Sequence, residues 1–448
     1  MATLDILPVE LITNIASYSS PQDVKSLSCA SWSMRHAVLR LLFRTLVIPC
    51  PLVSTQALEE LVHKYQDFIS AIHLHISFQP NKEEEPHEDP MPSVWGAAPT
   101  DILKKITEGE ILSSVRSFIL EFNGAQFKHG GWWGETMYGT NPDMLGSIVD
   151  SEEEWDETLQ QEQEIIWRAQ YNEVMRTISM NQKIANLRIK NLIAKNASVW
   201  ETPEWVSFLG RLQVLDIGVF GGDDGDCVHT KPGFIEFIEN MPYYIMRHAR
   251  NVRHLSLEAS ADGLFGGASA NYCIPLPLKE DHLLFLKSLT LKNVVIGPDL
   301  LQFLKSRVDC FEELELHDCM CNGPEPEYGP GWNLEPVTWA NLWKSIRESN
   351  MRLSKVSVVQ SKPPPLLWQE GESEEDETCE DSVAAVRIRK MLEEDRSLVV
   401  WRYARVDYKY GWIVDLSDDN VKYFEEGEDQ REYLKLLKVL EERNTQRA

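Results

Sequence analysis

Few residues in this chain have types and spacings suited to chemistry. Cys310, His317, Cys319 and Cys321 bring four soft-metal donors together in one short stretch. Structural zinc sites usually pair C-x-x-C units, whereas Cys319 and Cys321 are separated by a single residue. They are therefore read as buried structural thiols, and no metal ligand is assigned. Asp223, Asp224 and Asp226 in the run GGDDGD could hold Ca²⁺ weakly, but the loop lacks the glutamate that closes an EF-hand. A plain acidic turn is the simpler reading. Trp132 and Trp133, set between glycines, could form an aromatic wall for a ligand or peptide; a loop folded back on the protein edge is the plainer reading. The sequence carries no phosphate loop, G-x-S-x-G elbow, H-E-x-x-H helix or dinucleotide fingerprint. The chain is expected to bind rather than catalyse, with no catalytic residue and no cofactor.

Any binding residues must be positioned by the regular elements. From Ile69 onward one pattern recurs: apolar-x-x-apolar-x-apolar. It runs through Ile69/Ile72/Leu74, Val115/Phe118/Leu120, Ile184/Leu187/Ile189 and Leu212/Leu215/Ile217. It continues through Val252/Leu255/Leu257, Leu286/Leu289/Leu291, Phe311/Leu314/Leu316 and Leu353/Val356/Val358. The last two apolar positions of each segment alternate as a strand requires, so both face one side. This is also the strand pattern of leucine-rich repeats, in which stacked strands bury what one strand cannot. The steps from Leu187 to Leu215, Leu255, Leu289, Leu314 and Val356 are irregular and often longer than the roughly 20–29 residues of regular repeats. Several intervening segments read as helices, such as 299–304 and 339–346. Two architectures remain open on this pattern: an irregular solenoid, which is the expectation, and an α/β protein with ordinary parallel strands.

The first 48 residues read differently, as three short amphipathic helices. Pro8 suits a first helical position, with Leu11, Ile15 and Tyr18 at i, i+4 and i+7 and Ile12 and Ala16 beside them. Ser20 can cap a second helix, with Pro21 at its first position and Asp23 in its first turn. Ser33 can cap a third, in which Met34, Ala37, Val38, Leu41 and Leu42 form a stripe.

The order of residue types in this stretch, Leu7-Pro8-x-Glu10-Leu11-x-x-x-Ile15 followed by Asp23-Val24-x-x-Leu27 and then Trp32 and Arg35 before an apolar helix, resembles an F-box. An F-box followed by degenerate leucine-rich repeats resembles a common fungal F-box architecture. The resemblance implies docking on the Skp adaptor of SCF ubiquitin ligases, and through it on a cullin. Carried over by position, the adaptor-binding residues would be Leu7, Pro8, Leu11, Ile15, Val24, Leu27 and Leu42. Ser19, Ala16 and Trp32 depart from the family pattern. The implied function is substrate receptor of a cullin-RING ubiquitin ligase, a subunit that supplies proximity rather than chemistry. Two alternatives stay open: an F-box interaction or scaffold protein acting outside a ligase, and an enzyme with a pocket at the 123–146 insertion.

The expected fold is thus α/β, an N-terminal three-helix F-box followed by an irregular leucine-rich-repeat solenoid. Its expected domains are an F-box over 1–48, the solenoid over 49–360, an acidic disordered linker over 361–382 and a C-terminal capping region over 383–448. A mobile loop over 79–100 and an insertion over 123–164 interrupt the solenoid. The residues flanking the apolar strand positions would line the binding face for a protein substrate: Arg188, Lys190, Asp216, Ser256, Glu258, Thr290, Lys292, Glu315 and His317. Within that row Arg188 and Lys190 read as a local basic spot and Glu313 and Glu315 as an acidic one. The Trp132–Trp133 loop is a further candidate.

Composition narrows the partners. The chain has 448 residues, with 44 Lys+Arg against 70 Asp+Glu, a net charge of −26. Such a balance argues against sequence-independent binding to nucleic acid or to anionic membrane. The acidic runs at 83–85, 152–154 and 372–381 read as solvated loops. Eight sparse cysteines, no signal-like N-terminus and no long apolar run lead to the expectation of an intracellular protein of cytoplasm or nucleus, with reduced thiols.

Overall fold

A computed structural model describes residues 7–79, 91–96, 101–128, 145–222, 227–261, 263–267, 271–322, 337–349, 351–367, 383–407 and 409–447. Three helices come first: α1 (Val9–Ser17), α2 (Pro21–Ala30) and α3 (Trp32–Leu42). The strands of the main sheet follow: β1 (Thr45–Cys50), β2 (Ala71–Ile76), β3 (Ser117–Phe122), β4 (Asn186–Ile193), β5 (Val214–Phe220), β6 (His254–Ala259), β7 (Ser288–Lys292), β8 (Glu313–His317) and β9 (Lys355–Val359). They form one nine-stranded sheet in which each strand neighbours the next in sequence order, and the paired strands whose register is resolved run parallel.

This sheet corrects the expected fold class. The chain is not a three-helix F-box followed by a leucine-rich-repeat solenoid. It is an α/β fold dominated by one large parallel sheet with helices. The repeated apolar signature specifies a parallel strand with one buried face, and it is silent on whether such strands form stacked repeats or one α/β sheet. The long, irregular steps between strands carried the difference. Parallel neighbours need crossovers of a dozen or more residues, commonly helical. Here the intervals hold helices such as Thr55–Tyr65, Ile166–Ser179, Pro232–Met241 and Pro298–Lys305.

The chain divides into two compact units: residues 1–123 with 159–190 and 197–208, and residues 124–158 with 191–196 and 209–448. In the first unit, Ile72, Phe118 and Leu187 lie in register, as do Leu74, Leu120 and Ile189, and all six are buried. A run of rings extends this core: Phe78 to Phe122 at 5.6 Å, Phe122 to Tyr171 at 5.3 Å, Tyr171 to Trp200 at 6.1 Å and Trp200 to Trp205 at 4.9 Å. Part of the loop expected to be mobile belongs to this packing. Val94 and Trp95 are buried. The Glu173 carboxylate accepts from the Ser93 hydroxyl at 2.6 Å and from the Val94 N–H at 2.8 Å. Residues 80–90 and 97–100 lie outside the described residues.

In the second unit, Leu215, Leu255, Leu289, Leu314 and Val356 form one in-register row, and Ile217, Leu257, Leu291, Leu316 and Val358 form another. Both rows are buried up to the half-buried valines of β9. At the end of β7, Asn293 adopts a left-handed conformation (φ 55°). Its side-chain amide donates to the Ala259 carbonyl at 2.8 Å, and its backbone N–H donates to the His317 carbonyl at 3.0 Å. One residue therefore ties the ends of both neighbouring strands. The acidic run at 152–154 is not wholly solvated: Glu153 is buried and pairs with buried Lys195 at 3.1 Å. The start of the expected linker is also ordered, with the Ser361 N–H donating to Asp318 at 2.6 Å and Leu366 buried. Residues 368–382 lie outside the described residues.

The helix Trp339–Glu348 starts on a buried polar cluster in the same unit. Its Trp339 N–H donates to the Tyr403 hydroxyl at 3.3 Å, its Ala340 N–H to Asp429 at 2.7 Å and its Asn341 N–H to the Thr338 hydroxyl at 3.1 Å. The Tyr403 hydroxyl donates to Asp429 at 2.8 Å. Burial pushes the Asp429 carboxyl up to about 6, against the pull of the Tyr403 and Ala340 hydrogen bonds.

Two predictions follow from this unit. Asn293→Ala puts a residue without asparagine's tolerance of the left-handed region at φ 55° and removes the amide that donates to the Ala259 carbonyl, for a loss of about 1–3 kcal/mol. Asn293→Gly relieves the backbone term and should lose less. Urea midpoints at constant m-value check the order, and equal losses would show the left-handed backbone to be unimportant. For Asp429, the folded pKa lies above the unfolded one, so its favourable proton uptake is complete below about pH 4 and is lost as pH rises through about 6. Asp429→Asn removes this slope while keeping an acceptor for Ala340. The variant should gain on the wild type, by up to roughly 3 kcal/mol, as pH rises from 4.5 to 7.5. Parallel stability curves for the two proteins would contradict the assignment.

Candidate functional site

The N-terminal helices place their residues through local capping. Pro8 stands at the N-cap of α1, one position before the helix rather than in its first turn. The Ser20 hydroxyl accepts from the Asp23 N–H at 3.1 Å, with Pro21 at the first position of α2. Ser31, not Ser33, caps α3 by accepting from the Met34 N–H at 3.1 Å. The three helices then close a small core of Ile12, Ala16, Val24, Met34, Ala37 and Val38, with half-buried Leu7, Leu27, Leu41 and Leu42 against it.

This packing sorts the expected adaptor-binding residues. Ile12 and Ala16 take the inward face of α1, so Leu11 and Ile15 point away from the core and are 49% and 53% exposed. Tyr18 extends the same row and, with Val9 and Trp32, is also exposed. Pro8 is exposed beside them. Leu7, Leu27 and Leu42 contribute only their outer edges. Val24 is an interior residue of the helical core and is not available as a contact. The result is a helix with two apolar faces, one used and one open.

The expected substrate row lies on the polar side of the sheet. In the second unit Asp216, Ser256, Thr290 and Glu315 are in register, and Glu258, Lys292 and His317 form the next row. Two side-chain contacts link these rows: Lys292 pairs with Glu258, and the His317 ring hydrogen-bonds the Glu315 carboxylate. In the first unit Arg188 is exposed on β4. Lys190 pairs with Glu121 at 2.9 Å. The basic spot read at Arg188 and Lys190 is therefore partly neutralised by Glu121, an acid on the neighbouring strand that the strand pattern did not single out. Trp132 and Trp133 lie outside the described residues, as do Asp223, Asp224 and Asp226.

The cysteine–histidine cluster does not assemble as a ligand set. Cys319 and Cys321 are buried, and burial pushes the Cys319 thiol up to about 12 and Cys321 well above its ordinary value. The Cys319 thiol lies 3.5 Å from the Leu291 carbonyl and donates to it, while the Cys310 thiol lies 3.4 Å from the Leu284 carbonyl.

One constellation escaped the sequence reading. His73 and His75 on β2 face Glu121 on β3, with His73 Nε2 at 2.9 Å and His75 Nδ1 at 3.8 Å from its carboxylate. Burial, and then the neighbouring His75, lowers the His73 pKa despite the pull of Glu121. Burial alone would raise the Glu121 pKa; the hydrogen bond and charge of Lys190 reverse this and hold it below the ordinary value. The signal was present as His-x-His alternation in the weakest of the strand segments.

Among the described residues no helix is long and apolar enough to cross a membrane. Comparison with protein-family models finds no match, and comparison with curated proteins finds none either.

The two faces of α1 make separable predictions. Val24→Ala removes interior volume and should destabilise the helical core by about 1–2 kcal/mol. Leu11→Ala, at an open position, should leave thermal unfolding within about 0.5 kcal/mol of the wild type. Calorimetry of the full chain checks both, and a large loss from Leu11→Ala would place that residue in a core.

Proposed function

We propose that this chain is a substrate receptor of an SCF-type ubiquitin ligase, docking a Skp-family adaptor, and through it a cullin, by its N-terminal helices. The observation that carries the reading is the open apolar row Leu11, Ile15 and Tyr18 on a helix whose adjacent face already closes its own core. Water-exposed aliphatic side chains in a contiguous row mark an interaction surface. The row coincides with the Leu-Pro-x-Glu-Leu motif that resembles the adaptor-docking element of the F-box family. A helix laid against a partner groove with anchors at i, i+4 and i+7 is a recurrent recognition mode.

The substrate half of the reading rests on the polar side of the strands, with Arg188 and Lys190 as candidate contacts in the first unit and Asp216, Ser256, Glu258, Thr290, Lys292, Glu315 and His317 in the second. Its internal ion pairs favour a partner that exchanges with them, such as an acidic or phosphorylated segment displacing Glu121 from Lys190 or Glu258 from Lys292. Receptor function needs no catalytic group on this chain, because holding a substrate beside the ubiquitin-loaded enzyme supplies proximity.

The test is titration of the full chain with a purified Skp-family adaptor, followed by capture of cullin. Each aliphatic side chain buried on docking is worth about 1.5–3 kcal/mol. The Leu11→Ala/Ile15→Ala double variant, folded as judged by calorimetry, should bind the adaptor at least about a hundredfold more weakly. Unchanged affinity in the folded variant would overturn this docking face. Adaptor binding without cullin recovery would favour the scaffold reading over the ligase.

A further inference from the structure

We propose that His73, His75 and Glu121 form a zinc-binding site on the polar face of the sheet, with three protein ligands and an open coordination position. The proposal is independent of the docking face on α1.

The backbone produces the site. Side chains two residues apart on a strand share a face, so His73 and His75 project together from β2. Parallel pairing sets His75 directly opposite Glu121 on β3. The potential ligand atoms of the three residues all lie within 4.8 Å of one another. The imidazole rings stand 4.2 Å apart. Zinc holds histidine nitrogen at about 2.0–2.1 Å and carboxylate oxygen at about 2.0–2.2 Å, which places neighbouring tetrahedral donors roughly 3.3–3.5 Å apart. The 2.9 and 3.8 Å separations to Glu121 straddle that value, so modest side-chain rotations suffice.

The support is rigid and the approach is open. Ile72, Leu74 and Ile76 anchor β2 on its other face, and Phe118, Leu120 and Phe122 anchor β3; all six are buried. The His73, Glu121 and His75 side chains are 14%, 27% and 45% exposed, giving an ion a path from solvent. Two imidazoles and one carboxylate favour zinc over magnesium or calcium, which prefer all-oxygen sets. Three protein ligands are the arrangement of zinc sites that keep a position for water or for a ligand from outside. On this surface the outside ligand would be a carboxylate or imidazole of a bound partner.

Lys190 is the competitor. Its ammonium lies 2.9 Å from the Glu121 oxygen that also accepts from His73. Metal binding must displace it, and its side chain, 39% exposed, can swing into solvent. The site is therefore expected to bind zinc more weakly than it would without Lys190. A network serving only to link the strands would show no such antagonism.

The experiment uses untagged full-length protein, stripped of metal, titrated with Zn²⁺ against a chromophoric chelator and separately with Co²⁺ followed by visible absorption. One equivalent should bind, with the intense bands of low-coordinate cobalt. His75→Ala, a change at the most exposed ligand, should weaken binding by about tenfold or more, since even outer-shell partners are worth that much. His73→Ala/His75→Ala should abolish the cobalt spectrum, with circular dichroism confirming the fold. Lys190→Met should tighten binding. Wild type that takes up no zinc, or variants that bind zinc like wild type, would overturn the proposal and leave His73, His75, Glu121 and Lys190 as a hydrogen-bonded ladder.

Discussion

Register is the constraint on which the rest of this molecule depends. Parallel strands with a side-chain period of two bury one face only if every neighbour is aligned, because a slip of one residue turns the whole apolar set outward. The rows Leu215–Leu255–Leu289–Leu314 and Ile217–Leu257–Leu291–Leu316 hold that alignment across four strands. The same alignment fixes the opposite face. Polar residues that flank the leucines must also stand in rows, so Glu258 meets Lys292 and, in the other unit, Glu121 meets His75 and Lys190. The ion pairs and the histidine constellation are consequences of a register selected by the core.

That dependence explains what could be read in advance. The apolar positions of the strands were legible because burial on one face imposes period two, and from Ile72 to Leu316 the alternating apolar pairs are buried as the pattern requires. The fold class was not legible from those positions. A leucine-rich strand and a parallel α/β strand present the same local signature, and the distinction lies in intervals whose helices the strand pattern does not encode. Left-handed Asn293 was also missed, since its role depends on carbonyls contributed by β6 and β8. The His73–His75–Glu121 group needed alignment of two segments. His75 directly follows Leu74, and Glu121 directly follows Leu120, so superposing the apolar pairs would have placed them opposite each other.

In the N-terminal helices the sequence reading found the elements but left the helical face undecided. Leu11, Ile15 and Tyr18 form as good a stripe as Ile12 and Ala16, and periodicity alone does not choose between two adjacent stripes. Packing chooses the smaller one, because Ala16 permits the close approach that a three-helix core of this size needs. The larger residues are left outside. A helix that buries alanine and exposes leucine and isoleucine gains little from its own fold for those side chains, which is why the open row reads as a surface for another molecule rather than as a defect of packing.

The C-terminal region shows the same logic applied to polar groups. The first N–H groups of a helix have no partner within it, and the helix Trp339–Glu348 begins where water is scarce. Tyr403 and Asp429, from two distant segments, and the helix's own N-cap Thr338 meet three of those groups. A carboxylate also suits the positive end of a helix, yet burial raises its pKa, so Asp429 is held between two opposing demands. The helix Glu428–Arg447 is anchored through this contact and through Glu432, which accepts from Arg347 at 2.8 Å. From there its Arg443 and Asn444 side chains donate to the Met351 and Ser354 carbonyls at 2.6 and 3.0 Å. Those carbonyls belong to the segment that enters β9, the last strand of the sheet. An end strand presents unpaired backbone groups that invite association, and this helix ties down the approach to that strand. A polar contact at one helix start thus helps to hold the edge of a sheet whose interior is held by leucines.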